Sequence, residues 1–342
     1  MGRLSPALLL PLLAVAALAA GPLVAGTFYV QLLTKIMILV VFAMSLDLLV
    51  GCAGLVSLGH AAYFGVAAYA LAALSPQYEA ANLWLTLPAA MAVSALAALV
   101  IGFLVLRTSG VYFIMATLAF AQMLYAFFAE SGVIGGSDGV YIYSKPEALL
   151  PGGLKPFDLE RTTDFYYVAL AAMAGVYVLL RTILHSLFGR VLVGIRDNEQ
   201  RMRSLGFQTF RYKLAAFVIS GALAGLAGYL SAAQFGFVNP ELLNWHRSGE
   251  VLMMVILGGM GSLYGAALGA FVLVLVEDVL GGLTTHWLLP MGIFIIAAVF
   301  LLPEGIAGLW RSGLGRRRRP TAPDPAEAAA DAAAAEEAAA DA

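Results

Sequence analysis

Charge is what this sequence has least of. Only 12% of its 342 residues are Asp, Glu, Lys or Arg, where soluble domains carry about 25%. So few ionised groups cannot cover a water-facing globule. The hydrophobic content of 61% and a mean hydropathy of +0.89 agree. The single cysteine, Cys52, excludes an intramolecular disulfide framework and reads as a small packing residue in an apolar stretch.

Catalytic patterns are missing too. None of the lysines follows a glycine at P-loop spacing. His60, His185, His246 and His286 stand singly, so no HExxH zinc pattern forms. There is no carboxylate pair with a partner base, no arginine-studded voltage-sensor helix and no TVGYG-like filter. No enzymatic activity, metal, cofactor or nucleic-acid partner is expected. If this chain moves a solute uphill, the energy comes from another subunit or an ion gradient.

Long apolar runs are what the sequence has in excess. A span needs about 20 apolar residues, and ten windows qualify: 8–26, 32–50, 54–74, 83–106, 110–129, 165–184, 213–233, 249–263, 264–282 and 288–303. The expectation is an all-α polytopic membrane protein of about ten transmembrane helices. The eighth and ninth windows run together through Gly258, Gly259 and Gly261. They fit two helices, or a broken helix with a re-entrant piece, which a membrane tolerates only inside protein or beside a cavity. The first window, from Arg3 to the small residues 17–21, fits a retained helix or a cleaved leader, and its length favours retention.

Basic residues are partitioned. With the N-terminus inside, Arg3, Arg107, Arg181, Arg190, Arg196, Arg201, Arg203, Arg211, Lys213, Arg311 and Arg316 to Arg319 fall on the cytoplasmic side. Lys35, Lys145, Lys155, Arg161 and Arg247 fall outside, among acidic residues. Both termini are then cytoplasmic. The membrane domain covers residues 1–310, with an outer loop at 130–164 and a basic inner loop at 185–212. Residues 311–342 form a basic anchor and a low-complexity tail with no hydrophobic face, expected to be disordered.

Five segments carry further information. Gly51 to Tyr69 interrupts an apolar run with glycines, Ser57 and His60, beside Asp47. It fits tight packing of a kinked helix, or a broken helix whose freed backbone lines a path. Ser57, Gly59 and His60 are path candidates, with Thr117 and Gln122, which project from an otherwise apolar span as interhelical contacts or path lining. Gly135-Gly-Ser-Asp138-Gly139 predicts a turn or an outer contact. In the inner loop, Asp197 and Gln200 resemble a capping box and Gly206 a stop, predicting a helix of about two turns over 196–206 with Met202 and Leu205 on one side. Such a capped, basic element suits docking to a protein partner or to anionic lipid. Ile195, Arg196, Asp197, Asn198, Glu199, Arg201 and Met202 are the coupling candidates. Gly261, Gly265 and Gly269, and likewise Gly221 and Gly225, recur at four-residue spacing as close-packing seams. Segments 54–74 and 258–276 share an outline of glycine loop, Ser-Leu, aromatic and small residues.

Four of these blocks together resemble the LivM-type permease subunits of bacterial branched-chain amino-acid ABC importers. They are Gly-Leu-Val-Ser-Leu-Gly-His-Ala-Ala-Tyr-Phe-Gly (54–65), Ser-Gly-Val-Tyr-Phe (109–113) with Thr-Leu-Ala-Phe-Ala-Gln (117–122), Ile-Arg-Asp-Asn-Glu (195–199) through Arg-Tyr-Lys-Leu-Ala-Ala-Phe (211–217), and Gly-Gly-Met-Gly-Ser-Leu-Tyr-Gly (258–265). The resemblance spans about residues 30–305. Tyr63 departs from it, where phenylalanine is usual. It implies a bacterial inner-membrane subunit working with a second, LivH-like permease, two ATPases and a periplasmic binding protein. Transport by alternating access would then be driven by ATP hydrolysis in the partners. Urea and short-chain amide importers use similar permeases. An ion-coupled transporter acting alone would instead use intramembrane carboxylates, for which Asp47, Glu277 and Asp278 are available.

Overall fold

The computed structural model describes residues 14–24, 26–76, 80–131, 135–149, 157–302 and 304–308. The basic anchor and tail expected at 311–342, and the start of the first apolar window, lie outside them.

Helices dominate. A short segment, Gly21–Val24, precedes α1 (Thr27–Asp47), which continues through a π-helical turn, Leu48–Ala53. Then follow α2 (His60–Leu74), α3 (Leu83–Val105), α4 (Val111–Glu130), α5 (Thr162–His185), α6 (Leu187–Asp197), α7 (Glu199–Ser204), α8 (Thr209–Phe235), α9 (Trp245–Gly258), α10 (Leu263–Leu283) and α11 (Leu288–Leu301).

Seven helical stretches among the described residues are long and apolar enough to cross a membrane: Thr27–Ala53, the whole of α3, α4, α5, α8 and α10, and Leu288–Gly308. With 15 and 14 residues, α2 and α9 rise only about 22 Å each at 1.5 Å per residue. That falls short of a hydrocarbon core of about 30 Å. Each is the partner of a glycine loop, so two of the ten expected windows are short helices completed by irregular backbone.

The layering follows from which faces are apolar. From Ile36 to Ala53 every residue of α1 and its π turn is buried. A helix that is apolar all round has no face for water and takes the centre of a bundle. Around it pack α2, α5, α8, α9 and α10, while α3, α4 and α11 show large apolar side chains outward, among them Leu96, Tyr112, Met115, Phe127, Ile293 and Phe300. In a membrane that outer surface meets lipid, which asks only that backbone groups be satisfied inside the helix.

At one end of the bundle, β1 (Val140–Tyr141) pairs antiparallel with β2 (Phe237–Val238), clipping the outer loop to the chain after α8. The segment Gly135 to Gly139 is the expected turn. It forms a 3-10 turn over Gly136–Asp138, with positive φ at Gly135, Gly136 and Gly139.

The inner loop differs from its sequence reading. It holds two helices, not one. In α6, Val191, Leu192 and Ile195 are buried along one face while Arg190 is exposed. A sharp break at Asn198, with φ −159° and ψ 97°, then starts α7. The cap is Asn198, whose side chain accepts the Arg201 N–H at 2.9 Å, and not Asp197, which ends α6. The six residues of α7 fall short of the expected two turns over 196–206. Gly206 does end that region, at φ +88°.

Candidate functional site

The first break in the bundle lies between α1 and α2. The π turn ends at Gly54, whose φ of +70° reverses the chain at little cost because glycine has no Cβ. The loop that follows rests on α4. The Leu58 N–H donates to Thr117 Oγ1 at 3.2 Å, and that hydroxyl donates to the Ile114 carbonyl at 2.8 Å. Ser57 Oγ accepts the Gly59 N–H at 3.2 Å. Ser248 Oγ, from α9, accepts the Ala61 N–H at 2.9 Å. Four freed backbone or hydroxyl groups thus find partners on three elements. Ser57, Gly59 and Thr117 are brought together, as the sequence reading grouped them. Gln122 lies further along α4, and its buried Nε2 has no hydrogen-bond partner.

His60 sits at the centre, fully buried. Its ring stacks on Phe42 at 5.4 Å and meets Tyr63 edge-on at 5.8 Å. Nε2 lies 2.9 Å from Ser45 Oγ and 3.5 Å from Ser220 Oγ. Ser45 gives its own hydrogen to the Phe42 carbonyl, and Ser220 gives its hydrogen to the Ser45 carbonyl. Both hydroxyls are therefore acceptors toward the ring, which places the imidazole hydrogen on Nε2. Nδ1 faces no donor. The seryl pair ties α1 to α8 through the first residue of α2. His60 is fully enclosed within the bundle in this conformation.

The second break separates α9 from α10. Gly259 and Gly261 take φ of +106° and +78°, and Ser262 Oγ donates to the Gly259 carbonyl at 2.9 Å. Gly261 therefore belongs to the loop, not to the helical seam in which its spacing had placed it. Gly265 and Gly269 do form that seam: a Cβ on either would overlap carbonyl oxygens of α9. Gly221 and Gly225 form another, against Ala98 and Ser94 of α3, where Ser94 Oγ bonds the carbonyls of Gly221 and Tyr63 at 2.8 and 3.0 Å.

The two breaks meet. Asp47 Oδ1, fully buried at the end of α1, accepts the Gly261 N–H at 2.7 Å, and Gly51 packs directly on the Gly261 backbone. To this junction α6 adds Arg196. Its Nη1 donates to the Gly51 carbonyl at 2.5 Å, while Nε and Nη2 hold Asp197 Oδ1 at 3.2 and 3.1 Å. The stem of Arg196 lies against Gly54, where a Cβ would come within 2.9 Å of Cγ. Arg196 thus points inward, onto the break. Nothing local in the chain signals this contact, since the arginine and the Gly51 carbonyl are 145 residues apart.

The α6–α7 pair is a rigid wedge. Gly194 lies beside the Met202 thioether, so Met202 faces α6. Leu205 is 64% exposed. The two therefore lie on different sides, contrary to the sequence expectation. Glu199 knots α7 to the start of α8, accepting from Arg203 at 2.7 Å, from Thr209 at 3.0 Å and from Lys213. Partial burial pushes the Glu199 carboxyl up, but these hydrogen bonds and the Lys213 charge outweigh it and hold it below the usual carboxylate range. The outward face carries Gln200, Arg201, Leu205 and Phe207. Ile195 is buried, Arg196 and Asp197 serve the junction, and Asn198 is the cap. Of the coupling candidates only Arg201 is left free for a partner. Leu205 and Phe207, which that set omitted, stand exposed beside it. Two large apolar side chains in a basic loop were the signal.

The family model for the permease component of branched-chain amino acid transport systems matches residues 28–302. The high-affinity branched-chain amino acid transport system permease protein LivM of Salmonella typhimurium is 32% identical over 313 residues, 86% of this chain and 73% of the relative. LivM of Escherichia coli K12 is 31% identical over the same shares. The autoinducer 2 import system permease protein LsrC of Klebsiella pneumoniae is 34% identical over 45% of this chain and 44% of its own. No solved structure matches the chain. With all four sequence blocks inside the matched region and α1 to α11 within it apart from Thr27, the chain belongs to the family of branched-chain amino acid transport system permease components.

Proposed function

We propose that this chain is one of two membrane subunits of an ABC importer in a bacterial inner membrane, carrying branched-chain amino acids inward. A second, LivH-like permease completes the pathway, two separate ATPases supply the energy and a periplasmic binding protein delivers the substrate. The chain crosses the membrane ten times with both termini in the cytoplasm. The basic partition of the loops supports that orientation, as does the sequence of helix ends, which puts α6 and α7 on the side of Arg107 and Arg211. Residues 1–310 are the membrane domain and 311–342 a cytoplasmic appendage. His60, Ser57, Gly59, Thr117 and Gln122 belong to the element that must part when the path opens.

The observation that carries this reading is the α6–α7 wedge. Its inner face is bonded to the first break through Arg196 and to α8 through Glu199, and its outer face presents Arg201, Leu205 and Phe207. A partner that pushes or tilts the wedge moves Arg196, and with it the junction of Gly51, Asp47 and Gly261. Of the three intramembrane carboxylates, Asp47 holds Gly261 and Glu277 lies 3.5 Å from Lys35, while Asp278 has no ion-pair partner among the described residues, so it is the wedge that favours an energy source outside the chain.

Leu205→Asp in the assembled transporter is the test. A buried charge without a partner costs several kcal/mol, so the ATPases should no longer co-purify and uptake should be lost, with membrane abundance unchanged. Arg190→Ala, exposed on α6, should leave both near wild type. Retention of the ATPases and of uptake in Leu205→Asp would end the docking assignment.

A further inference from the structure

At the end of the bundle opposite the wedge, a cleft of about 320 Å³ opens among the ends of α1, α5, α8 and α10. That lies at the lower end of the range for small-molecule pockets, roughly 300–1,000 Å³. Its wall carries both signs of charge. Lys35 is shared with Glu277, but Lys145 and Asp278 have no ion-pair partner among the described residues. The Lys145 ammonium lies 5.2 Å from the centre of the Phe165 ring. Gln234 spends its amide N–H on the Gln31 carbonyl at 3.0 Å, which leaves its buried Oε1 without a donor. Phe28 and Phe235, 61% and 60% exposed, complete the wall with apolar surface.

A cation and an anion, neither with an ion-pair partner among the described residues, beside aromatic surface, match one chemistry. We propose that this cleft is a binding site for a zwitterionic α-amino acid with an apolar side chain. Its carboxylate meets Lys145 and Lys35, and its ammonium meets Asp278. The side chain lies against Phe28, Phe165 and Phe235. A site of one sign would favour a simple ion, whereas this one selects a molecule that carries both charges. The assignment rests on the importer reading above and gives it an outer substrate station.

Below the cleft, Lys35, Gln234 and Phe235 continue into a crevice of about 20 Å³ that reaches Phe42 and Phe64. That is room for about one water. Phe42 is the ring stacked on His60, so the crevice ends against the ring that covers the buried histidine.

The experiment uses the complete complex in lipid nanodiscs without the binding protein. Phe28→Cys places a reactive thiol in the cleft; Cys52 of this chain is buried and serves as the silent background. The rate of modification by a small methanethiosulfonate reagent is compared between wild-type and Phe28→Cys complexes, with Leu32→Cys on the same wall as the second variant. Leucine should slow the cleft reaction at least fivefold. Leucinamide, which lacks the carboxylate, and 4-methylpentanoate, which lacks the ammonium, should not. Adding Asp278→Asn should remove the protection by leucine. Uptake is read separately, in liposomes that hold the wild-type complex and are supplied with the binding protein. Absent protection, or equal protection by all three compounds, overturns the site, and if those liposomes import leucine the importer reading stands. Protection with no ATP-driven leucine uptake into those liposomes keeps the site and overturns the importer reading instead.

Discussion

The two breaks in the bundle solve the same problem by different means. Between α1 and α2, freed backbone groups are met by side-chain hydroxyls from several helices: Ser57, Thr117 and Ser248, with Ser45 and Ser220 around His60. Between α9 and α10 the solution is backbone shape, with two glycines at positive φ, one carboxylate and a carbonyl on which another helix break packs. A hydroxyl can be deleted for the loss of one hydrogen bond. A missing Cβ cannot be added without moving backbone. The first break should therefore bend under mutation, and the second should fail.

The sharpest contrast is at their contact. A Cβ on Gly51 would lie 2.5 Å from Gly261 Cα, backbone against backbone, with no flexible side chain to yield. Overpacking of this kind costs about 1–3 kcal/mol and occasionally more, and with backbone on both sides Gly51→Ala should sharply reduce membrane abundance and the thermal midpoint in detergent. Near-wild-type values would mean that the two breaks are not rigidly joined.

Asp47 separates shape from charge. Asp47→Leu leaves the buried Gly261 N–H without an acceptor, a loss of about 1–3 kcal/mol. Asp47→Asn keeps an oxygen for it and should fold and transport far better. If Asn proves as damaging as Leu, it is the carboxylate charge that matters and not the hydrogen bond.

On the side of the first break, Thr117→Val preserves volume but removes the acceptor for Leu58 N–H. About 1 kcal/mol is expected, visible as a small drop in thermal midpoint with uptake retained. Loss of uptake at normal stability would instead make Thr117 part of the moving path.

The smallest effect belongs to the wedge. Glu199→Gln removes a largely solvent-screened set of ion pairs, worth on the order of 1 kcal/mol or less. Because its pKa is lowered in the folded chain, the Glu199 contribution is fully present above the unfolded value. It is lost only as pH falls through the lower folded one. Stability should thus show no Glu199-dependent change from about pH 5 upward. A difference between wild type and Glu199→Gln that varies between neutral pH and pH 6 would mean that another group titrates in the knot.

Apolar runs longer than a bilayer left no alternative to a helical membrane bundle, and local spacing was enough to mark the glycine seams at Gly221, Gly225, Gly265 and Gly269. Local signals misled where the decisive partner was distant. Asp197 looked like a cap because it precedes Gln200 by three residues, yet Asn198 holds that role, because the chain breaks one residue later to let Arg196 reach Gly51. Gly261 had the seam spacing, but the Asp47 carboxylate captures its N–H and keeps it out of α10. His60 was recognisable as a polar group at membrane depth, whereas its seryl partners lie 15 and 160 residues away. Periodicity and length are properties of the chain and fix which segments are helices and that they need lipid. Which backbone group is left bare at a break, and which side chain comes to meet it, depends on how the helices cross, and only the tertiary structure decides that.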